Sequence, residues 1–148
     1  MARTKPLVPS PTKPDEIELE LYAALQAGDI ERLMAVWSDD DEIACVHPGG
    51  LRLVGAAAIR ASFEAMFANG HIAAEPRQVR RVESHSSAVH SVIERVRVQS
   101  TQGEQFAWVV ATNVYLKSAE GWRLVAHHAS PGSASEPEEI AEAASTLH

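Results

Sequence analysis

The sequence predicts an α+β domain: three N-terminal helices packed on a strongly curved, mostly antiparallel β-sheet, with a cone-shaped pocket between them. Two observations carry this. In the first half, apolar residues recur at helical spacing in three segments. In the second half, β-rich stretches alternate with glycine-containing turns.

The first helix is written in Ile17, Leu21, Ala24 and Leu25, and Gly28 stands where a helix stops. Asp29 then suits an N-cap for a second, short helix striped by Ile30, Leu33, Met34 and Trp37. "EIACVHPGGLRLV" follows, two short strands around a Pro-Gly-Gly turn. The third helix comes after Gly55, with Ile59, Phe63, Met66 and Phe67 on one face, and stops at Asn69-Gly70. Four strands complete the chain: "RQVRRVES", "AVHSVIERVRVQS", "QFAWVVATNVYLKS" and "WRLVAHHAS".

At 148 residues the chain fits one domain, long enough to bury a core without staples. Four prolines within residues 1–14 predict a mobile arm, and the folded domain is expected over 15–130. Residues 131–148 carry Glu136, Glu138, Glu139 and Glu142 and no lysine or arginine, which predicts an acidic, poorly ordered tail, at most a loose helix. Net charge is −7, so without those four acids the remainder carries −3. That balance argues against nucleic acid or an anionic membrane as partner. The N-terminal stretch has no apolar run for a secretory signal, no segment reaches a membrane span, and the single cysteine fits a reducing compartment. A cytoplasmic location is the expectation.

Three phrases, "LYAALQAGDIERLMAVWSDD", "VHPGG…LVGAAAIRASFEAMF" and "GWRLVAHHAS", resemble the SnoaL-like branch of the nuclear transport factor 2-like superfamily. The resemblance spans roughly Glu16 to Ser130. It implies a curved sheet closed by helices, a homodimer formed through the sheet face, and a small-molecule pocket needing no cofactor. It does not fix an activity, because this fold hosts isomerases, cyclases, dehydratases and assembly domains. Against the ketosteroid isomerase branch, His47, before Pro48, falls at the general-base position. Asn113, eight residues before the hairpin glycine Gly121, falls at the oxyanion-hole aspartate. Leu21 takes the place of the oxyanion-hole tyrosine. Tyr22 is about 100° further round the helix and is expected to point elsewhere. A leucine donates no hydrogen bond, and loss of one such donor typically costs about 10²–10³ in rate. The kinase assembly domains line a deep pocket with basic residues. Glu94, Asn113 and Ala129 match such positions here without the basic charge, and His127 is the neighbour expected near that pocket.

The candidate ligand-binding residues are therefore Trp37, His47, Phe63, Phe67, Glu94, Asn113, His127 and His128, with His47 and Asn113 as candidate catalytic groups. Each has a plainer reading. His47 could simply flank a turn. Glu94 shares a strand face with Ala88, His90, Val92 and Val96, but could sit at an edge paired with Arg80, Arg81 or Arg95. His127 and His128 point to opposite faces of one strand, so one is expected in the pocket and the other at a dimer partner. A metal would need His47, Glu94 and one of that pair to converge, and no H-x-H or H-x-x-x-H spacing supports one. Cys45 fits a small buried hydrophobe better than a nucleophile. Trp37 is the aromatic best placed to wall a pocket; Trp108 and Trp122 suit core or interface. The first functional expectation is a domain binding a small, largely apolar ligand. The second is proton transfer as isomerase, dehydratase or cyclase, with His47 as base and Asn113 steadying an oxyanion. The third is an interaction module with its cavity filled.

Overall fold

A computed structural model describes residues 11–142. Its elements run α1 (Pro14–Ala27), α2 (Ile30–Val36), β1 (Ala44–Val46), β2 (Arg52–Val54), α3 (Ala56–Phe67), β3 (Ala74–Glu83), β4 (Ser87–Ser100), β5 (Gly103–Ser118) and β6 (Gly121–Ala129). This is the expected α+β class.

The helix ends follow from local chemistry. Pro14 occupies the first turn of α1, and the Glu16 carboxylate accepts from the Thr12 and Lys13 amides at 2.7 and 2.9 Å. Gly28, at φ +64°, ends α1 in the left-handed region. The Asp29 carboxylate accepts from the Arg32 amide at 3.1 Å and caps α2.

The six strands form one sheet in the order β2-β1-β6-β5-β4-β3. All neighbours are antiparallel except β1 and β6, which run parallel with Cys45 opposite His127. That long-range pairing sets the start of the Pro-Gly-Gly turn beside the end of β6. Register shifts between Pro76 and Gln78 and between Val114 and Tyr115 mark irregularities of the kind that bend and twist a sheet. The core lies between the helices and the inner sheet face: Ile17, Leu33, Trp37, Ile43, Ile59, Val92, Tyr115 and Leu124 are each at most 1% exposed. Strand β3 begins at Ala74, earlier than the "RQVRRVES" signal.

Residues 11–14 pack against the fold: Pro11 and Pro14 are buried, and Pro11 accepts from the Trp122 amide at 3.4 Å. Residues 1–10 lie outside the described residues. In the tail, residues 131–142 form no helix; Ser133 pairs with Trp108 on the open edge of β5, and Glu139 forms an ion pair with Arg80. Residues 143–148 also lie outside the described residues.

Candidate functional site

A cavity of about 260 Å³ opens between the inner sheet face and the helices. Leu21 and Leu25 reach it from α1, Trp37 from the end of α2, Phe63 and Met66 from α3, and Val96, Val109 and Leu124 from the sheet. Three titratable side chains interrupt this apolar wall: His47, Glu94 and His127. Among the described residues no lysine or arginine lines it. The His47 ring stands edge-on to Phe63, with centroids 4.8 Å apart.

Behind the wall lies a buried polar network. The His127 Nδ1 is 2.5 Å from Asn113 Oδ1. The Asn113 amide nitrogen donates to the Tyr22 hydroxyl at 3.2 Å and to Glu18 Oε2 at 3.3 Å. The Tyr22 hydroxyl in turn donates to Glu94 Oε2 at 2.6 Å. Glu18 Oε2 also accepts from the Tyr115 hydroxyl at 2.7 Å and pairs with His90 Nδ1 at 2.9 Å. The network ties the wall to α1, with His90 Nε2 left without a hydrogen-bond partner among the described residues.

The environments push these groups apart. Burial, reinforced by the Glu18 charge, raises the Glu94 carboxyl to about 7 even though the Tyr22 hydrogen bond opposes it. Burial also penalises Glu18, but donors from His90, Tyr115 and Asn113 outweigh it and hold Glu18 below the usual carboxylate range. Burial, helped by His47 and His128, lowers His127 to about 4, and burial lowers His47. For His90, burial is outweighed by the Glu18 carboxylate, and its affinity for a proton rises. The cavity thus sets two imidazoles of lowered proton affinity beside a carboxyl of raised proton affinity. Cys45 is fully buried, and burial beside Glu94 raises its thiol to about 12, which leaves no thiolate for a nucleophile.

Of the eight candidates, Trp37, His47, Phe63, Glu94 and His127 lie in the cavity wall. Three do not. Asn113 is fully buried behind His127, its amide engaged on both sides, so it has no free donor for an oxyanion. Phe67 packs behind Phe63, with ring centroids 6.1 Å apart. His128 is exposed on the opposite sheet face. Glu94 is 6% exposed, against the edge reading: Arg80 pairs with Glu139, Arg81 with Asp15, and Arg95 with Glu75. Among the described residues, only Asp15, Glu18 and His90 bring three potential metal-ligand atoms within 4.8 Å of one another. His47, Glu94 and His127 are thus not so clustered. In the Asp15 group, His90 Nδ1 already engages Glu18, and the Arg81 guanidinium holds Asp15 at 2.8 Å.

Sequence reasoning missed Tyr22, Glu18, Tyr115 and Ser62. Glu18 and Tyr22 are four residues apart on α1 and therefore share a face, which was a readable signal. Leu21 does line the cavity and Tyr22 does not, as the 100° offset requires, but the phenol is long enough to reach Glu94 from the side.

This architecture defines a pocket-bearing domain of a known family. Residues 16–134 match the SnoaL-like domain, and the chain belongs to that family. A candidate calcium/calmodulin-dependent protein kinase type II association domain from Thiobacillus denitrificans ATCC 25259 is 35% identical, with a TM-score of 0.75, over 84% of this chain and 98% of that one. A candidate dehydratase of the nuclear transport factor 2-like family from Streptomyces avermitilis is 27% identical, with a TM-score of 0.70, over 78% and 90%. A nuclear transport factor 2-like protein with a cystatin-like fold from Novosphingobium aromaticivorans shares the fold at 19% identity and a TM-score of 0.66, over 78% and 77%. No curated protein matches the chain. No helix among the described residues is long and apolar enough to cross a membrane.

Proposed function

We propose that this SnoaL-like domain binds a small, largely apolar organic molecule in its cone-shaped cavity. One observation carries the reading: an apolar-walled cavity of about 260 Å³ with, among the described residues, only His47, Glu94 and His127 as titratable lining. A structural core has no need of three titratable groups around a void.

Native mass spectrometry of freshly purified protein tests it, with wild type beside Ala107→Trp, which fills the cavity from β5, and His47→Ala. Wild type carrying an added mass that Ala107→Trp loses supports binding. If all three fly at bare mass, and titration with 2-naphthol leaves tryptophan emission unchanged, the reading fails.

A second reading is proton transfer on the bound molecule, as isomerase, dehydratase or cyclase, with His47 as base. The raised Glu94 carboxyl beside two neutral imidazoles favours it, since paired groups with separated affinities suit acid and base roles. In this reading Glu94, rather than Asn113, supplies the acid. A homodimer through the outer sheet face belongs with either reading, supported by the exposed valines there and by the Thiobacillus protein's name as an association domain.

A further inference from the structure

The hydrogen bonds around the two cavity histidines bear on the kind of molecule the cavity suits. The Asn113 amide is oriented by chemistry: its nitrogen faces the Glu18 carboxylate, which can only accept. Its oxygen therefore faces His127, and an amide oxygen only accepts. So His127 Nδ1 carries the ring proton, and Nε2 presents a lone pair. At His47, the Ser62 hydroxyl lies 2.8 Å from the Ile59 carbonyl and 2.9 Å from His47 Nε2, and its single hydrogen goes to one of the two. When it goes to Ile59, His47 Nε2 donates to Ser62 and Nδ1 keeps a lone pair; the His127 Nε2 lone pair stands in either case. Neither lone-pair nitrogen has a hydrogen-bond partner among the described residues.

We infer that the cavity selects a neutral, hydroxyl-bearing molecule, a phenol or an alcohol, whose O–H is donated to a histidine lone pair, and that it rejects anions. This rests on the binding reading above. The His127 lone pair, on a part-buried ring in an apolar wall, calls for a donor from the ligand, because a ligand that covers an acceptor without matching it costs free energy that its apolar contacts must offset. An anion would face the His127 lone pair, the Glu94 carboxyl and an apolar wall, and among the described residues no lysine or arginine lines the cavity to neutralise it. The low proton affinity of both rings agrees: they do not become cationic to receive an anion at neutral pH.

The test is calorimetric titration of the full chain at neutral pH with three probes of matched shape: 2-naphthol, 2-methoxynaphthalene and 2-naphthoate. The naphthol should bind at least about tenfold more tightly than the ether, which lacks the O–H, and the carboxylate should bind weakest. In His47→Phe and His127→Phe, tested separately because the second removes the partner of Asn113, at least one variant should bring naphthol to within about twofold of the ether while the ether's own affinity holds. The ether or the carboxylate matching the naphthol in wild type overturns the inference and leaves the binding reading standing. An undiminished naphthol preference in both variants overturns the histidine assignment. Failure of all three probes, with no native adduct, removes the binding reading and this inference with it.

Discussion

The Tyr22 hydroxyl donates to Glu94 Oε2 at 2.6 Å, joining α1 to β4. It also accepts from the Asn113 amide, so one phenol links the cavity carboxyl to the network behind the wall. Tyr22→Phe removes a donor from Glu94 and an acceptor from Asn113 without creating a large void. A stability loss of about 1–3 kcal/mol is expected. The phenol's hydrogen bond lowers Glu94, so its loss raises that group further. The loss measured by chemical denaturation should therefore be larger above neutral pH, where Glu94 is ionised, than in mild acid. A pH-independent loss would mean that the phenol does not hold the carboxylate.

Glu94 makes stability depend on pH in the direction opposite to an ordinary ion-paired acid. Its folded-state value of about 7 lies above the ordinary 4.5, so the fold binds the proton more tightly than the unfolded chain does. The associated stability is present below about pH 4.5 and is lost as pH rises through about 7. The whole interval is worth on the order of 3 kcal/mol. His127, held at about 4, works against this, gaining stability as pH rises from about 4 towards 6.5. The wild-type curve alone therefore mixes the two, and the difference between Glu94→Gln and wild type isolates Glu94. That difference should be small in acid and should favour the amide by up to the same order in mild base. Equal curves at all pH values would place Glu94 in solvent.

The helices were legible because their stripes have one period and their ends carry local signals, as at Gly28 and Asp29. The inner face of β4 was legible too: Ala88, His90, Val92 and Glu94 alternate, and all four are buried. What could not be read was pairing between distant segments. The parallel contact of β1 with β6 puts Cys45 opposite His127 across about eighty residues, and no local pattern encodes it. Burial of Glu94 depends on Tyr22 and Asn113 arriving from two other elements, so sequence alone left the edge reading open. Asn113 fell on the expected inner face but one layer too deep, because His127 stands between it and the cavity.

Gly121 and Gly103 offer a matched pair. Both open a strand at a positive φ, +98° and +97°, so alanine at either is strained by about 1–2 kcal/mol. At Gly103 a new Cβ meets nothing within 4 Å, whereas at Gly121 it falls 2.7 Å from Pro11 Cδ and 2.8 Å from Pro11 O. Gly121→Ala should therefore cost at least about 1 kcal/mol more than Gly103→Ala by thermal or chemical unfolding. Equal costs would show that residues 11–14 yield freely and that the expected mobile arm extends to the first turn of α1.

The sheet face turned away from the cavity carries Val82, Val89 and Val110, exposed by 75%, 41% and 40%. Register places Val82 opposite Val89 and Val89 opposite Val114, with Ile93 opposite Val110, an apolar stripe over β3, β4 and β5 that is interrupted by Arg80, Ser91 and Thr112. A twofold dimer would bury this stripe against its own copy, since such an interface needs one self-complementary patch. Sedimentation should show a dimer for the wild-type chain. Val89→Glu combined with Val110→Glu should raise the dissociation constant at least about tenfold, because two charges per copy would be buried without partners. The cavity lies on the other face, so 2-naphthol titration of the double variant should match wild type. A monomeric wild type would remove the dimer and leave the stripe to a different partner. A double variant that loses both the dimer and naphthol binding would mean that the two faces of the sheet act as one unit.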